Sequence, residues 1–250
     1  CQGYDLDSSR ALPGIQRCSS LSALLAKPLD TLFITTSSLQ HLPVLERALA
    51  SAIPRIVVEK PIVANLEQAA RLRALLAPAG EAGRVLALDH WMARGLALNA
   101  LAPPWQAEEE ASGLPPPHLS AQDIAWLEGY LQEPSGFNAA GEPVALNFAT
   151  GEPDTRRLRH PDGVILDIGT HVLAMLRETL LDCGGDVTLD LAVRAAKDRL
   201  GRDIAHGDTV TAEGEAHLQG RLGDIPLNIW LNKYAGPAGG QKGMRIGLRD

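Results

Sequence analysis

Cysteine is scarce in this 250-residue chain. Cys1, Cys18 and Cys183 are far apart, odd in number and without CxxC spacing. That excludes a disulfide framework or a cysteine metal site, and it points to free thiols in a reducing, cytoplasmic setting. Positive charge is also short. Twenty-three Lys and Arg stand against 30 Asp and Glu, giving a formal net charge of −7 and a pI near 5.5. Such a balance argues against nucleic acid or an anionic membrane as a main partner. No stretch approaches the ~20 apolar residues that span a bilayer. No repeat of about 20–50 residues and no secretory leader is visible.

Several site signatures are missing as well. Asp5, Asp7 and Ser9 begin like a calcium loop but lack its Gly and distal Glu. Gly236-Pro237-Ala238-Gly239-Gly240 lacks the GK[ST] ending of a phosphate loop and reads as a hairpin connection. His206 and His217 have no partners at metal spacing, so no metal is expected. GxGxxG is absent too; it would lie before the first visible strand. The chain opens mid-pattern on Cys1-Gln2-Gly3-Tyr4-Asp5, which raises the expectation of an N-terminally truncated sequence.

What is present is organised around Val57-Val58-Glu59-Lys60-Pro61. Ile56, Val57 and Val58 read as the end of a buried strand, and Pro61 stops it because it has no N–H to give. Glu59 and Lys60 then stand at a strand's carboxyl end, the edge where open α/β sheets bind ligands. A lysine walled by apolar strands can move protons. A surface ion pair is the plainer alternative.

Around this stretch the periods alternate. Ser20 caps a short helix to Ala26, Leu32-Phe33-Ile34 is a buried-type strand, and Leu42, Leu45 and Leu49 mark a helix with Pro43 in its first turn. Asn65 and Gln68 resemble a capping box before a helix with Leu66, Ala69, Leu72, Leu75 and Leu76, and Val85–Leu88 is a further strand. Two successive βαβ units make a parallel, doubly wound sheet. Thr35-Thr36-Ser37-Ser38, after the first of these strands, can hold a phosphate or a ribose, or serve only as caps. Asp5 can accept from a ribose diol or simply close a turn.

Asp89 and His90 follow the Val85–Leu88 strand, so two polar pairs stand at adjacent strand ends and point to one crevice. Residues 102–160 are irregular, with one helix expected over Ser120–Leu131 on the spacing of Ile124, Leu127 and Leu131, and a strand near Val144–Phe148. Gly163 to His171 reads as a helix start. There Asp167 and His171, four apart, share a face; the acid can orient the imidazole for acid–base work, or the two form a satisfied core pair. The last third turns to period two, in four half-buried strands: Val187–Ala195, Val210–Leu218, Ile225–Leu231 and Met244–Leu248. One face should pack on the Asp167–His171 helix. The other, with Thr209, Thr211, Asn228, Trp230 and Asn232, meets solvent or a second subunit, so a homo-oligomer through this open face is expected. The domain reading is 1–88, the C-terminal part of a Rossmann unit, and 89–250, an α+β unit on an open, mainly antiparallel sheet packed on helices.

Glu59-Lys60-Pro61, Ile34-Thr35-Thr36 with His41, and Gly163…Asp167-x-Gly169-x-His171 together resemble the glucose–fructose oxidoreductase / inositol 2-dehydrogenase (Gfo/Idh/MocA) family. The resemblance covers nearly the whole chain and keeps the motif order. It implies an NAD(P)-dependent oxidoreductase with a small sugar, cyclitol or other polyol as substrate and NAD or NADP as cofactor. Lys60, His171 and Asp167 would be catalytic: His171 as acid–base residue, Asp167 beside it, and Lys60 assisting proton transfer. Asp5, Thr35, Thr36, Ser37, His41, Glu59 and Lys60 would meet the cofactor. Asp5 would favour NAD, and Ser9 and Arg10 leave NADP open.

Ser37-Ser38 stand where the family often has Pro then Asn, and Ala174 where it often has an acid. Asp89-His90-Trp91-Met92-Ala93-Arg94 is instead similar to the DHYxGK stretch of glucose-6-phosphate dehydrogenase, with Trp for Tyr, Ala for Gly and Arg for Lys. That similarity implies substrate-side roles for three residues: Asp89 would buttress His171, while His90 and Arg94 would hold a sugar phosphate. A catalytically idle NAD(P)-binding regulator is the further alternative.

Overall fold

A computed structural model describes residues 1–7, 13–89, 119–147, 150–154, 162–236 and 240–249. The chain divides into two compact units, Cys1–Leu88 and Asp89–Asp250.

The first unit is built on parallel strands. β1 (Gln2–Gly3) pairs with β2 (Gln16–Arg17), and β3 (Leu32–Ile34), β4 (Ile56–Glu59) and β5 (Val85–Leu88) form a three-stranded parallel sheet. Helices α1 (Leu21–Leu25), α2 (Ser38–Leu49), α3 (Leu66–Leu76) and α4 (Glu81–Arg84) alternate with the strands. Ser20 caps α1 by accepting from the Ala23 N–H at 3.0 Å, as its sequence position predicts. α2 lays Leu42, Leu45 and Ala48 on Ile34, Ile56 and Val58, all buried. Phe33 and Leu86, on the opposite sheet face, are exposed.

Pro43 lies inside α2 rather than in its first turn. It has no N–H for the carbonyl of Leu39. The Gln68 side-chain amide, on α3, donates to that carbonyl at 3.2 Å. Gln68 also accepts from Ala64 N–H, while Asn65 accepts from Gln68 N–H, so the expected capping box closes one residue early.

The second unit carries a mixed, mainly antiparallel sheet. Its strands are β6 (Ile124–Phe137), β7 (Pro143–Ala145), β8 (Leu189–Lys197), β9 (Glu215–Leu222), β10 (Ile225–Gly236) and β11 (Gln241–Leu248). The order is β11-β6-β10-β9-β8, with β7 paired to β6. Only β6 and β10 run parallel, with Leu127 opposite Leu227 and Leu131 opposite Leu231. On the helical side, the single turn α5 (Val164–Asp167) and the longer helix α6 (Gly169–Asp182) are parted at Ile168.

The expected helix over Ser120–Leu131 is instead a single 3₁₀ turn, Ala121–Asp123, followed by the long strand β6. Ile124, Leu127 and Leu131 are all buried, as their spacing demands, but by a different device. A register shift against β11, between Gly247 and Leu248, skips Ala125 and turns Ile124 to the same face as Leu127. That bulge imitates a helical interval of three. The next inward position, Gly129, has no side chain to betray the alternation. Val210 and Ala212 likewise fall outside β9, and Val210 is exposed.

α6 buries Val172, Met175, Leu176, Thr179 and Leu180 against Leu127, Leu131, Leu227, Ile229 and Leu231. Each such aliphatic side chain contributes about 1.5–3 kcal/mol. The Thr179 hydroxyl donates to Met175 O at 2.8 Å, so its full burial leaves no polar atom unpaired. Helix and sheet close at Gly129, where any Cβ would overlap Val172 and Leu176. Gly129→Val should therefore lower the urea midpoint of unfolding, by about 1–3 kcal/mol of overpacking.

Candidate active site

Local structure in the second unit concentrates on α5 and the first turn of α6. Glu213 opens α5: its backbone carbonyl accepts from Val164 N–H at 2.9 Å and its carboxylate from Ile165 N–H at 3.2 Å. Two orphan donors of the helix start are thus satisfied by one residue. The carboxylate lies against Gly163, where a Cβ would occupy its place. Gly169 opens α6 hard against β10, where a Cβ would stand 2.8 Å from Leu231 Cδ1. Both glycines of the Gly163…Asp167-x-Gly169-x-His171 pattern therefore have packing reasons.

His171 sits in the first turn of α6, and its Nδ1 lies 2.9 Å from each oxygen of the Asp89 carboxylate. Asp89 is buried and is the first residue after β5. An ionised carboxylate only accepts, so Nδ1 carries the hydrogen and donates it. In the neutral ring, Nε2 then bears the lone pair, and the acid stands ready to stabilise the imidazolium.

Asp167 takes a different partner from the one its spacing suggests. The break at Ile168 interrupts the common helical face. The Asp167 carboxylate accepts instead from Lys233 Nζ at 2.6 Å. Lys233 is 1% exposed and also meets Glu133 at 3.1 Å and Asp154 at 3.2 Å. Its neighbour Tyr234 has a phenol held above its ordinary pKa by burial, against the opposing pull of Lys233. Sequence reasoning passed over Lys233, although the signal was there. Leu227, Ile229 and Leu231 alternate onto the buried face, and the next step of two is Lys233.

In the first unit, Thr35, Thr36 and Ser37 follow β3 and help line a cavity of about 550 Å³, together with Asp5, Ser20 and Arg47. Ser37 stands at the N-cap of α2 without a side-chain cap bond, and both Ser37 and Gln40 of this first turn line the cavity. Asp5 closes a turn by accepting from Asp7 N–H at 2.8 Å, and its backbone carbonyl accepts from Arg17 at 2.7 Å. An acid for a diol, hydroxyls and backbone donors for a phosphate, and room for a ribose make this set fit part of a dinucleotide.

Glu59 folds its carboxylate back onto the N–H of Lys60 at 2.9 Å, and Lys60 is half-buried. His41 is 2% exposed, with Nδ1 2.7 Å from Pro61 O and Nε2 2.8 Å from Thr36 O. Both ring nitrogens are spent on backbone, so His41 acts by tying the end of β3 to the turn after β4. His90 and Arg94 lie outside the described residues. Among the described residues no group of three His, Cys, Asp or Glu side chains could hold a metal, and no helix is long and apolar enough to cross a membrane.

His41→Leu removes the N–H that a neutral imidazole donates to one of these two carbonyls. It should lower the urea midpoint of unfolding, at about 1–3 kcal/mol for the carbonyl left without a donor.

Comparison with known proteins gives this geometry a context. A search of curated proteins returns no match. Among solved structures, a levoglucosan dehydrogenase in complex with NADH and levoglucosan superposes with a TM-score of 0.61 at 14% identity, covering 93% of this chain and 56% of that one. A myo-inositol dehydrogenase from Corynebacterium glutamicum matches with a TM-score of 0.54 at 16% identity, covering 94% of this chain and 61% of that one. An oxidoreductase from Bacillus cereus matches with a TM-score of 0.53 at 15% identity, covering 90% and 52%. The chain spans between 52% and 61% of the length of such structures. At these identities the likeness is one of fold. Sequence carries further in the first unit: residues 5–89 match the Gfo/Idh/MocA oxidoreductase family model, an NAD-binding Rossmann fold.

Proposed function

We propose that the protein is an NAD(P)-dependent oxidoreductase that transfers hydride between the nicotinamide and a hydroxyl-bearing carbon of a sugar, cyclitol or related polyol. The observation that carries the reading is the carboxylate-oriented imidazole of His171 and Asp89. It is joined by the family match over residues 5–89 and by the likeness in fold to dehydrogenases of levoglucosan and myo-inositol.

The bound dinucleotide would supply the two-electron chemistry. Asp5, Thr35, Thr36 and Ser37 would hold it, with Glu59 and Lys60 toward the nicotinamide. His171 Nε2 takes the substrate hydroxyl proton as the carbon gives up hydride, and Asp89 offsets the charge that grows on the ring. Lys60 assists by stabilising the developing oxyanion. Asp167, committed to Lys233, acts on the position of the helix start rather than on the proton.

One observation favours a second reading. The acid that holds His171 belongs to the Asp89-His90-Trp91 segment that is similar to glucose-6-phosphate dehydrogenase. On that reading His90 and Arg94 would take a sugar phosphate. A kcat/KM comparison of a hexose with its 6-phosphate separates the two, since a phosphate site gives the phosphorylated sugar the higher value. Dinucleotide binding with no turnover on any polyol would favour the idle regulator instead.

On the first reading, His171→Gln and Lys60→Ala each lower kcat, the former on the order of 10²–10⁴-fold. In His171→Gln, NADH affinity by calorimetry stays near that of the parent chain. Full turnover in His171→Gln sinks the assignment.

We also infer self-association through the outer sheet face. That face sets Trp126 and Trp230 toward solvent, with Trp230 stacked on His217 at 3.7 Å and Arg245 5.1 Å over the Tyr130 ring. Trp230→Glu should move the mass measured by light scattering toward that of a monomer; an unchanged mass rejects the face as the interface.

A further inference from the structure

The buried ammonium of Lys233 has no part in the proton path above, and it lies in a part of the sheet where lysine is costly. Lys233 occupies the inward face of β10, among the aliphatic positions that receive α6. A buried ammonium is tolerated only where it is paired and hydrogen-bonded. Here its partners come from separate parts of the chain: Glu133 on β6, Asp154 just after the Leu146–Pro153 bridge, and Asp167 at the last residue of α5. The shortest of these contacts, 2.6 Å, goes to Asp167.

α5 is a single turn of four residues and cannot stabilise itself. It is held from both ends. Glu213 receives the N–H groups of Val164 and Ile165 at its start, and Lys233 grips Asp167 at its finish. The two holds are joined, because the Lys233 backbone N–H donates to Gly214 O at 2.9 Å, next to Glu213. Immediately beyond Asp167 the chain breaks at Ile168, restarts at Gly169, and sets His171 in the first turn, its N–H donating to Ile168 O at 3.2 Å. The direction of the His171 ring toward Asp89 is therefore inherited from the direction of α5.

We propose that Lys233 is a positioning residue: by closing its ammonium on Asp167, Glu133 and Asp154 it fixes the break between α5 and α6, and with it the His171–Asp89 hydrogen bond. Its bearing on catalysis rests on the reading of His171 given above. The test is chosen to be read without turnover, so that failure of either inference shows separately.

The experiment is long-range ¹H–¹⁵N correlation of the histidine rings in the uniformly labelled chain, with the His171 signals identified by their loss in His171→Gln. At a pH where the ring is neutral, the parent chain shows His171 hydrogen on Nδ1 and a bare Nε2. Lys233→Met should lose this pattern for His171 while the His217 ring, stacked on Trp230 across the sheet, keeps its own. Lys233→Arg, which retains a cation able to reach the carboxylates, should restore the His171 pattern at least in part. A merely stabilising lysine would lower the melting temperature without moving the tautomer, so a folded Lys233→Met with the parent His171 pattern overturns the proposal. If Lys233→Met does not fold, Lys233→Gln with Asp167→Asn removes the charges of the shortest pair and leaves neutral side chains of similar shape there, with Glu133 and Asp154 unchanged. The parent pattern in that folded double variant overturns the proposal equally, and its loss supports it.

Discussion

A carboxylate has no hydrogen to give, and that constraint governs the chemistry of the second unit. Because Asp89 can only accept, the ring of His171 must present its hydrogen inward on Nδ1 and its lone pair on Nε2. One contact thus selects the tautomer, the orientation and the form in which the imidazole can take a proton. His41 illustrates the converse. Its ring faces backbone carbonyls on both sides, so no carboxylate selects its tautomer.

Around that contact the fold is arranged to keep a short helix still. α5 has too few residues to persist alone, and the start of α6 that follows it packs on β10 through the bare backbone of Gly169, closer to the sheet than a side chain would permit. The glycines of the motif are spacing devices, and the charged groups at either end are fasteners. Stability and site geometry are carried by the same residues here, which makes changes at Glu213 or Lys233 felt in both.

Much of this was legible in the sequence, for physical reasons that also explain what was not. β3, β4 and β5 are continuous apolar runs bounded by turn formers, α1 and α3 carry their caps, and β8 to β11 alternate; each signal is local and needs no partner to be read. The Asp89–His171 contact was implied only through similarity to another enzyme, since no local rule links residues 82 positions apart. β6 was misread because its bulge at Ala125 and its buried Gly129 together imitate helical spacing. The Asp167–Lys233 contact could not be read, because the four-residue interval to His171 presumes an unbroken helix and the lysine lies 66 residues beyond Asp167. Lys233 itself was visible as a charged residue on an inward-facing phase. It is masked in an apolar pattern, which ends one step of two earlier at Leu231.

The outermost strand β8 carries one more implication. It ends the sheet order beyond β9, and it is kinked by a register shift between Val193 and Ala195. It also bears Asp190, Arg194 and Lys197 along its length. A bent, charged margin offers a poor template for another polypeptide to continue the ladder. On this side the sheet is thereby closed to a further strand from another chain.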